Sequence, residues 1–370
     1  MDITEKMKYL GVSRRDFLKY CTALSGTLAL SPAFGPKVAE AIESDNRPPV
    51  IWLEFQDCAG DTESLLRASA PTAAQLILDY LSLDYHETIM SAAGHQAESA
   101  KESTFEKYKG KYICVVEGSI PTGADGAYCT VGGRSAVDIL NKIGGNAAFI
   151  IAVGTCATFG GLPAAYPNPT DAKSVQELLP GKTVINLPGC PMNVDNLNGT
   201  IVHYLLFGAP PAMDQFNRPK FGYGKRIHDN CERRAHFDAG QYVESWDDHG
   251  HKQGWCLYKM GCKGPETFHN CPTVRWNGGT SWPVQAGHGC AGCSEPGFWD
   301  TMTPFYQRLP NVPGFGVEAT ATKIGTAVVG ISAVVFGAHG IISAIRNRGL
   351  VQEVESLDSD DDDENNNRGV

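Results

Sequence analysis

The chain has 370 residues, 42% of them hydrophobic and 19% charged, which suits a globular protein large enough for two modest domains and a buried core. Its formal charge of -10 belongs to one end: without the eight acids between Glu353 and Glu364, the remainder holds 33 acids against 31 bases. A nearly neutral body with no basic stripe excludes a nucleic-acid-binding surface, and twelve cysteines in a chain this long argue against a small disulfide-stapled scaffold.

The first predicted element is an export signal. Ser13-Arg14-Arg15-Asp16-Phe17-Leu18-Lys19 precedes an apolar, small-residue stretch from Tyr20 to Phe34, the arrangement of a twin-arginine (Tat) leader. Pro32 interrupts the stretch, which is too short to span a bilayer permanently. Ala39-Glu40-Ala41 matches the small-x-small cleavage pattern, so residues 1–41 read as a signal peptide and the mature chain begins near Ile42. Proteins sent this way cross the membrane folded, often with cofactors already loaded, which reconciles many cysteines with an oxidising destination.

Residues 48–215 predict an α/β domain. Val50–Phe55, Tyr112–Glu117, Ala148–Val153 and Thr183–Leu187 read as buried strands, with an amphipathic helix from about Thr62 and further helices between the others. Strands alternating with helices imply a flavodoxin-like parallel sheet, whose ligands sit beyond the carboxyl ends of the strands. Cys58 follows the first strand, Cys156 the third and Cys190 the fourth, each in a glycine-containing turn, so the three are expected at one sheet edge. Cys114 lies mid-strand and reads as core. Cys129 has no such placement, and Cys21 leaves with the leader.

From 216 to 310 the sequence turns loop-rich and carries His228-x2-Cys231-x24-Cys256-x5-Cys262-x8-Cys271-x18-Cys290-x2-Cys293. So little regular structure implies a domain with cofactors at its core. The Cys-x2-Cys and His-x2-Cys spacings suit zinc as well as iron–sulfur. Two structural zinc sites need eight ligands, however, and this region offers seven, enough for one four-ligand and one three-ligand cluster.

Ile324–Ile345 is an apolar run whose only ionisable side chain is His339, long enough to cross a bilayer as a helix. Arg346 and Arg348 follow it, which places the C-terminus in the cytoplasm and the body on the periplasmic face. The Asp- and Asn-rich tail, 346–370, reads as disordered.

Several long motifs then come in order. They are Cys58-Ala59-Gly60-x-Thr62-Glu63-Ser64, Gly154-Thr155-Cys156-Ala157, Leu187-Pro188-Gly189-Cys190-Pro191 and Ile227-His228-x2-Cys231-x-Arg233-Arg234-x-His236-Phe237, followed by Tyr258-Lys259-x-Gly261-Cys262-Lys263-Gly264-Pro265 and Trp282-Pro283-Val284-Gln285-x-Gly287-His288-x-Cys290-x-Gly292-Cys293. Between about residues 50 and 305 the chain resembles nickel–iron hydrogenase small subunits, and its leader and anchor resemble the membrane-bound, uptake branch. The resemblance implies a proximal 4Fe–4S cluster on Cys58, Cys156 and Cys190, a distal 4Fe–4S cluster on His228, Cys231, Cys256 and Cys262, and a medial 3Fe–4S cluster on Cys271, Cys290 and Cys293, with Pro283 near its open corner. It implies a nickel–iron site only in a partner large subunit, with a membrane cytochrome b and quinone as the exit. Asp61 stands where the family usually has the fourth proximal cysteine and is expected to take that place as a ligand. The extra cysteines of the oxygen-tolerant proximal cluster would fall at Gly60 and Gly161, both glycine here. The alternative is a cluster-bearing electron-transfer subunit of another membrane redox complex.

Overall fold

The computed structural model describes residues 14–27, 31–43, 47–69, 71–309 and 325–348. The chain forms two units, Met1–Leu309 and Pro310–Val370.

In the first unit, five strands build one parallel sheet: β1 (Pro49–Glu54), β2 (Ser82–His86), β3 (Ile113–Glu117), β4 (Phe149–Val153) and β5 (Val184–Leu187). Their order, β2-β1-β3-β4-β5, is the flavodoxin-like 2-1-3-4-5 arrangement expected from the alternation of strands and helices. The edge strand β2 was not among the sequence-based expectations. Its Ser82-Leu83-Asp84-Tyr85-His86 alternates polar with apolar and leaves its first three residues half-exposed, whereas the inner strands are apolar on both faces because helices cover both.

Side chains alternate across the sheet with period two. Val50, Trp52, Ile113, Val115, Ile151 and Ile185 face one core layer, while Ile51, Leu53, Cys114, Val116, Ile150 and Val184 face the other. Cys114 is thus wholly buried core, as its mid-strand position predicts.

The helices that matter to the site are α1 (Arg14–Thr27), α2 (Gly35–Glu43), α3 (Gly60–Leu66), α4 (His95–Tyr108), α5 (Ala136–Ile143), α6 (Gly154–Phe159) and α7 (Val194–Phe207). Helix α5 shows why such segments form: the Ser135 hydroxyl accepts from the Asp138 N–H at its start. Ala136, Ile139, Leu140 and Ile143 then place one apolar stripe on the sheet. The leader segment folds as α1 and α2, separated around Ser31-Pro32, with Cys21, Val38 and Ala39 buried in the first core layer. Residues 1–13 of the predicted leader lie outside the described residues.

After α7 the chain runs in short helices and loops around a third core of Ile227, Val243, Leu257, Trp282 and Val284, which also contains Cys271 and Cys290. In the second unit, helix α8 (Gly325–Arg348) has 24 residues, is long and apolar enough to cross a membrane, and leaves its apolar side chains exposed. Residues 349–370, the predicted acidic tail, are outside the described residues.

Candidate metal centres

None of the twelve cysteines is in a disulfide. The three sheet-edge cysteines lie where the strand-end rule places them. Cys58 is in the loop between β1 and α3, Cys156 is in the first turn of α6 just after β4, and Cys190 follows β5. The turns after β4 and β5 are tied together. The Thr155 N–H donates to the Gly189 carbonyl at 2.8 Å, and the Gly189 N–H donates to Thr155 Oγ1 at 3.0 Å.

Asp61 is not a solvated loop carboxylate. It sits in α3 with 7% of its surface exposed, and its Oδ1 accepts the Met192 N–H at 2.6 Å. Its charge bears on both Cys156 and Cys190, so the structure brings all three into one neighbourhood. Burial first, and then the nearby Glu117 carboxylate, push the Asp61 pKa well above its usual range. Gly154 makes room for it: at φ +76°, any Cβ there would run into the Asp61 carboxylate.

A buried polar knot, not foreseen from the sequence, holds this loop. Glu117, at the end of β3, accepts from the N–H groups of Asp61 (3.0 Å) and Thr62 (3.2 Å), from Thr62 Oγ1 (2.6 Å) and from Trp52 Nε1 (3.2 Å). Glu54, at the end of β1, accepts from Thr62 Oγ1 (3.1 Å) and from the Thr88 N–H (2.9 Å). The available signal was an acid closing each of two otherwise apolar strands, since a buried carboxylate needs several donors.

In the loop-rich half, His228, Cys231, Cys256 and Cys262 line one narrow pocket together with Arg233, Tyr258 and Pro265. Burial, reinforced by the Arg234 charge, pushes His228 down to about 4, which keeps the imidazole in its neutral, ligating form. Cys271, Cys290 and Cys293 line a separate cavity of about 420 Å³ with Pro283, His269, Trp276 and Trp282. Two buried donors in this wall, His269 Nε2 and Trp282 Nε1, have no hydrogen-bond partner. His269 was not singled out in the sequence. Its signal was an imidazole two residues before a prospective ligand.

Burial pushes the thiols up, Cys231 to about 11 and Cys156, Cys190 and Cys256 to about 12, so a bound cation must drive their deprotonation. The loops are shaped to receive the resulting thiolates. The N–H two residues ahead donates to sulfur at two of the candidate ligands: Arg233 to Cys231 and Gly292 to Cys290, both at 3.4 Å. Cys114 has no such donor; its own thiol instead points to the Val115 carbonyl at 3.9 Å. Cys129 is half-buried against the second core layer, away from these loops.

The sets also adjoin one another. Cys190 lines the same cavity as Cys271, Cys290 and Cys293, and the Cys290 N–H donates to Cys262 Sγ at 3.2 Å. The sheet-edge set therefore adjoins the cavity set, and the cavity set adjoins the His228 set.

A single tetrahedral zinc would hold its thiolates about 3.8 Å apart, from zinc–sulfur bonds of about 2.3 Å. Among the described residues, no three of these thiols and imidazoles bring their ligand atoms within 4.8 Å of one another; only the carboxylates of Glu54, Asp57 and Glu117 do. Thiol sets of that spread, N–H groups aimed at sulfur and unpartnered donors in a cavity wall all fit polynuclear iron–sulfur groups.

Fold and thiol sets together define an iron–sulfur protein built on a flavodoxin-like sheet. Comparison with known proteins specifies which kind. Residues 223–306 match the family model for the C-terminal part of the NiFe/NiFeSe hydrogenase small subunit, and residues 58–204 match that of NADH ubiquinone oxidoreductase, 20 Kd subunit. The chain is 50% identical over 341 residues to the quinone-reactive Ni/Fe-hydrogenase small chain of Wolinella succinogenes, covering 90% of this chain and 96% of that one. It is 48% identical over 340 residues to the uptake hydrogenase small subunit of Azotobacter vinelandii, covering 92% and 95%. Among solved structures, the [NiFeSe]-hydrogenase of Desulfomicrobium baculatum matches with a TM-score of 0.67 at 34% identity, covering 71% of this chain and 99% of that one. The chain belongs to the small subunits of nickel–iron hydrogenases, the iron–sulfur-bearing partners in a heterodimeric hydrogenase.

Proposed function

We propose that this chain is the membrane-anchored, electron-transferring small subunit of an uptake-type hydrogenase, with hydrogen oxidised in the large subunit and a cytochrome b and quinone as the exit. In this reading residues 48–215 form the flavodoxin-like domain and 216–310 the second cluster domain. Cys58, Asp61, Cys156 and Cys190 hold a proximal 4Fe–4S group. Cys271, Cys290 and Cys293 hold a medial 3Fe–4S group, and His228, Cys231, Cys256 and Cys262 hold a distal 4Fe–4S group. Bound there, such groups accept and pass single electrons.

The observation that carries the reading is adjacency: Cys190 lines the cavity of Cys271, Cys290 and Cys293, and the Cys290 N–H donates to Cys262 Sγ, so the three proposed ligand sets follow one another. The chain's own residues shape the sites, donate hydrogen bonds to sulfur and exclude water. The names of the relatives, uptake and quinone-reactive, support the direction and the exit. The twin-arginine leader and α8 support export of the body and anchoring, with residues 1–41 as the leader, 324–345 spanning the bilayer and 346–370 cytoplasmic. The test is purification of the membrane complex. A nickel-containing large subunit should copurify, with about eleven irons per small subunit, from two four-iron groups and one three-iron group. Absence of any three-iron paramagnetic signal on oxidation sinks the medial assignment.

The second reading, a subunit of another membrane redox complex, draws on the match of residues 58–204 to a quinone oxidoreductase subunit. The hydrogenase-specific match over 223–306, which contains all seven second-half ligands, favours the first.

A further inference from the structure

His269 has no part in any ligand set, yet it is built into the medial site. Its ring is 3% exposed, edge-on to Tyr223 at 5.0 Å and stacked with Trp276 at 6.4 Å. Nδ1 lies 3.0 Å from Cys271 Sγ and accepts the Cys271 N–H at 3.1 Å. Nε2 is buried in a ring that lines the 420 Å³ cavity and has no hydrogen-bond partner. A neutral imidazole has one N–H. Because Nδ1 accepts the Cys271 N–H, that proton sits on Nε2, buried in a ring that lines the cavity and without a protein partner. The acceptor left to satisfy it is sulfur of the bound group. Leaving a buried N–H unpaired is costly.

We propose that His269 is a positioning residue that donates an imidazole N–H to sulfur at the medial site and so raises that site's reduction potential. The physical reason is charge. Reduction adds an electron to the cluster and its thiolates, and a donor aimed at sulfur stabilises the more negative state. The inference rests on the medial assignment of Cys271, Cys290 and Cys293.

The experiment uses the purified large–small complex. Redox titration of the three-iron signal compares wild type with His269→Phe, which keeps aromatic packing against Tyr223 and Trp276 but has no donor, and with His269→Asn, which keeps an amide donor. The Phe variant should be about tenfold harder to reduce, a midpoint lower by about 59 mV for one electron, and the Asn variant should recover much of that difference. Pulsed paramagnetic resonance on oxidised wild type with isotope-labelled histidine should show an imidazole nitrogen coupled to the three-iron signal, lost in His269→Asn. This measurement stands even if the Phe variant fails to fold. An unchanged midpoint in the Phe variant, equal shifts in Phe and Asn, or no histidine coupling in wild type each overturn the proposal. A wild-type complex with no three-iron signal overturns the medial assignment itself, and the inference with it.

Discussion

In the proposed reading, Asp61 is the side chain that sets the proximal site apart. A carboxylate is a harder and less covalent donor than a thiolate, so a four-iron group held by Asp61 should differ in potential from one held by four cysteines. Asp61→Cys is expected to keep four irons at the proximal site and shift its potential. Asp61→Ala is expected to lose iron there. Iron analysis and redox-titrated paramagnetic spectra decide, and an Ala variant with an unaltered four-iron group removes Asp61 from the ligand set. Gly154→Ala adds a Cβ against that carboxylate at a positive φ. It should cost about 1–3 kcal/mol, read as a lower urea midpoint of the complex. Nearby, burial raises Glu87 from 4.5 to about 7. Between those two values the folded state holds the extra proton, so its contribution is complete below pH 4.5 and is lost as pH rises to about 7. Relative to wild type, Glu87→Gln should therefore gain melting temperature as pH rises through that window.

The elements transmit order from the sheet to the loops. Arg218, 2% exposed, sits beyond α7 and pairs with Asp214 at 2.8 Å and with Glu295 at 3.1 Å, and it also donates to the Ser294 carbonyl at 3.2 Å. Glu295 in turn accepts the Phe268 N–H at 2.6 Å, so one guanidinium holds both the segment before Cys271 and the segment after Cys293. Arg218→Leu leaves buried Glu295 and half-buried Asp214 without their cation, which should cost about 3 kcal/mol. The Leu variant is expected to melt earlier and to lose three-iron signal before four-iron signal. At this scale the inner strands were legible because long apolar runs occur only where both faces are covered. Strand β2 was not, because an edge strand with half-exposed residues has the composition of a loop. The turn after β5 was legible as a cysteine site from the strand end, but its coupling to the turn after β4 was not: Gly189 and Thr155 are joined by hydrogen bonds that sequence spacing does not encode.

For the molecule as a whole, the candidate metal sites lie between residues 58 and 293, and the apolar span follows them. Helix α8, at 24 residues, is about 36 Å long at 1.5 Å per residue, enough for the hydrocarbon core. Truncation after Leu309 should release the body into the soluble periplasmic fraction with its iron retained, while hydrogen-dependent quinone reduction falls. Fractionation and activity with a soluble dye separate the two effects. His339 is the single ionisable side chain in the predicted span, and such residues tend to face protein rather than lipid. His339→Ala should weaken copurification of the cytochrome, and unchanged association removes that role.

The sequence by itself determined what depends on local chemistry. That includes the apolar span, the alternation of strands and helices, and the supply of cysteine and histidine side chains, because residue type and near-neighbour spacing carry those properties. The strand-end rule already brought Cys58, Cys156 and Cys190 to one sheet edge, and the strand order 2-1-3-4-5 is how the fold does it. Only the tertiary structure decided which distant groups pack around them. Asp61 is buried because the chain folds back to put the Met192 N–H on its carboxylate, 131 residues away. Glu54, Glu117 and His269 gain their roles from partners that neighbouring positions do not supply. A buried polar group is defined by where its hydrogen bonds go, and in this fold they go across the sheet and between loops rather than along the chain.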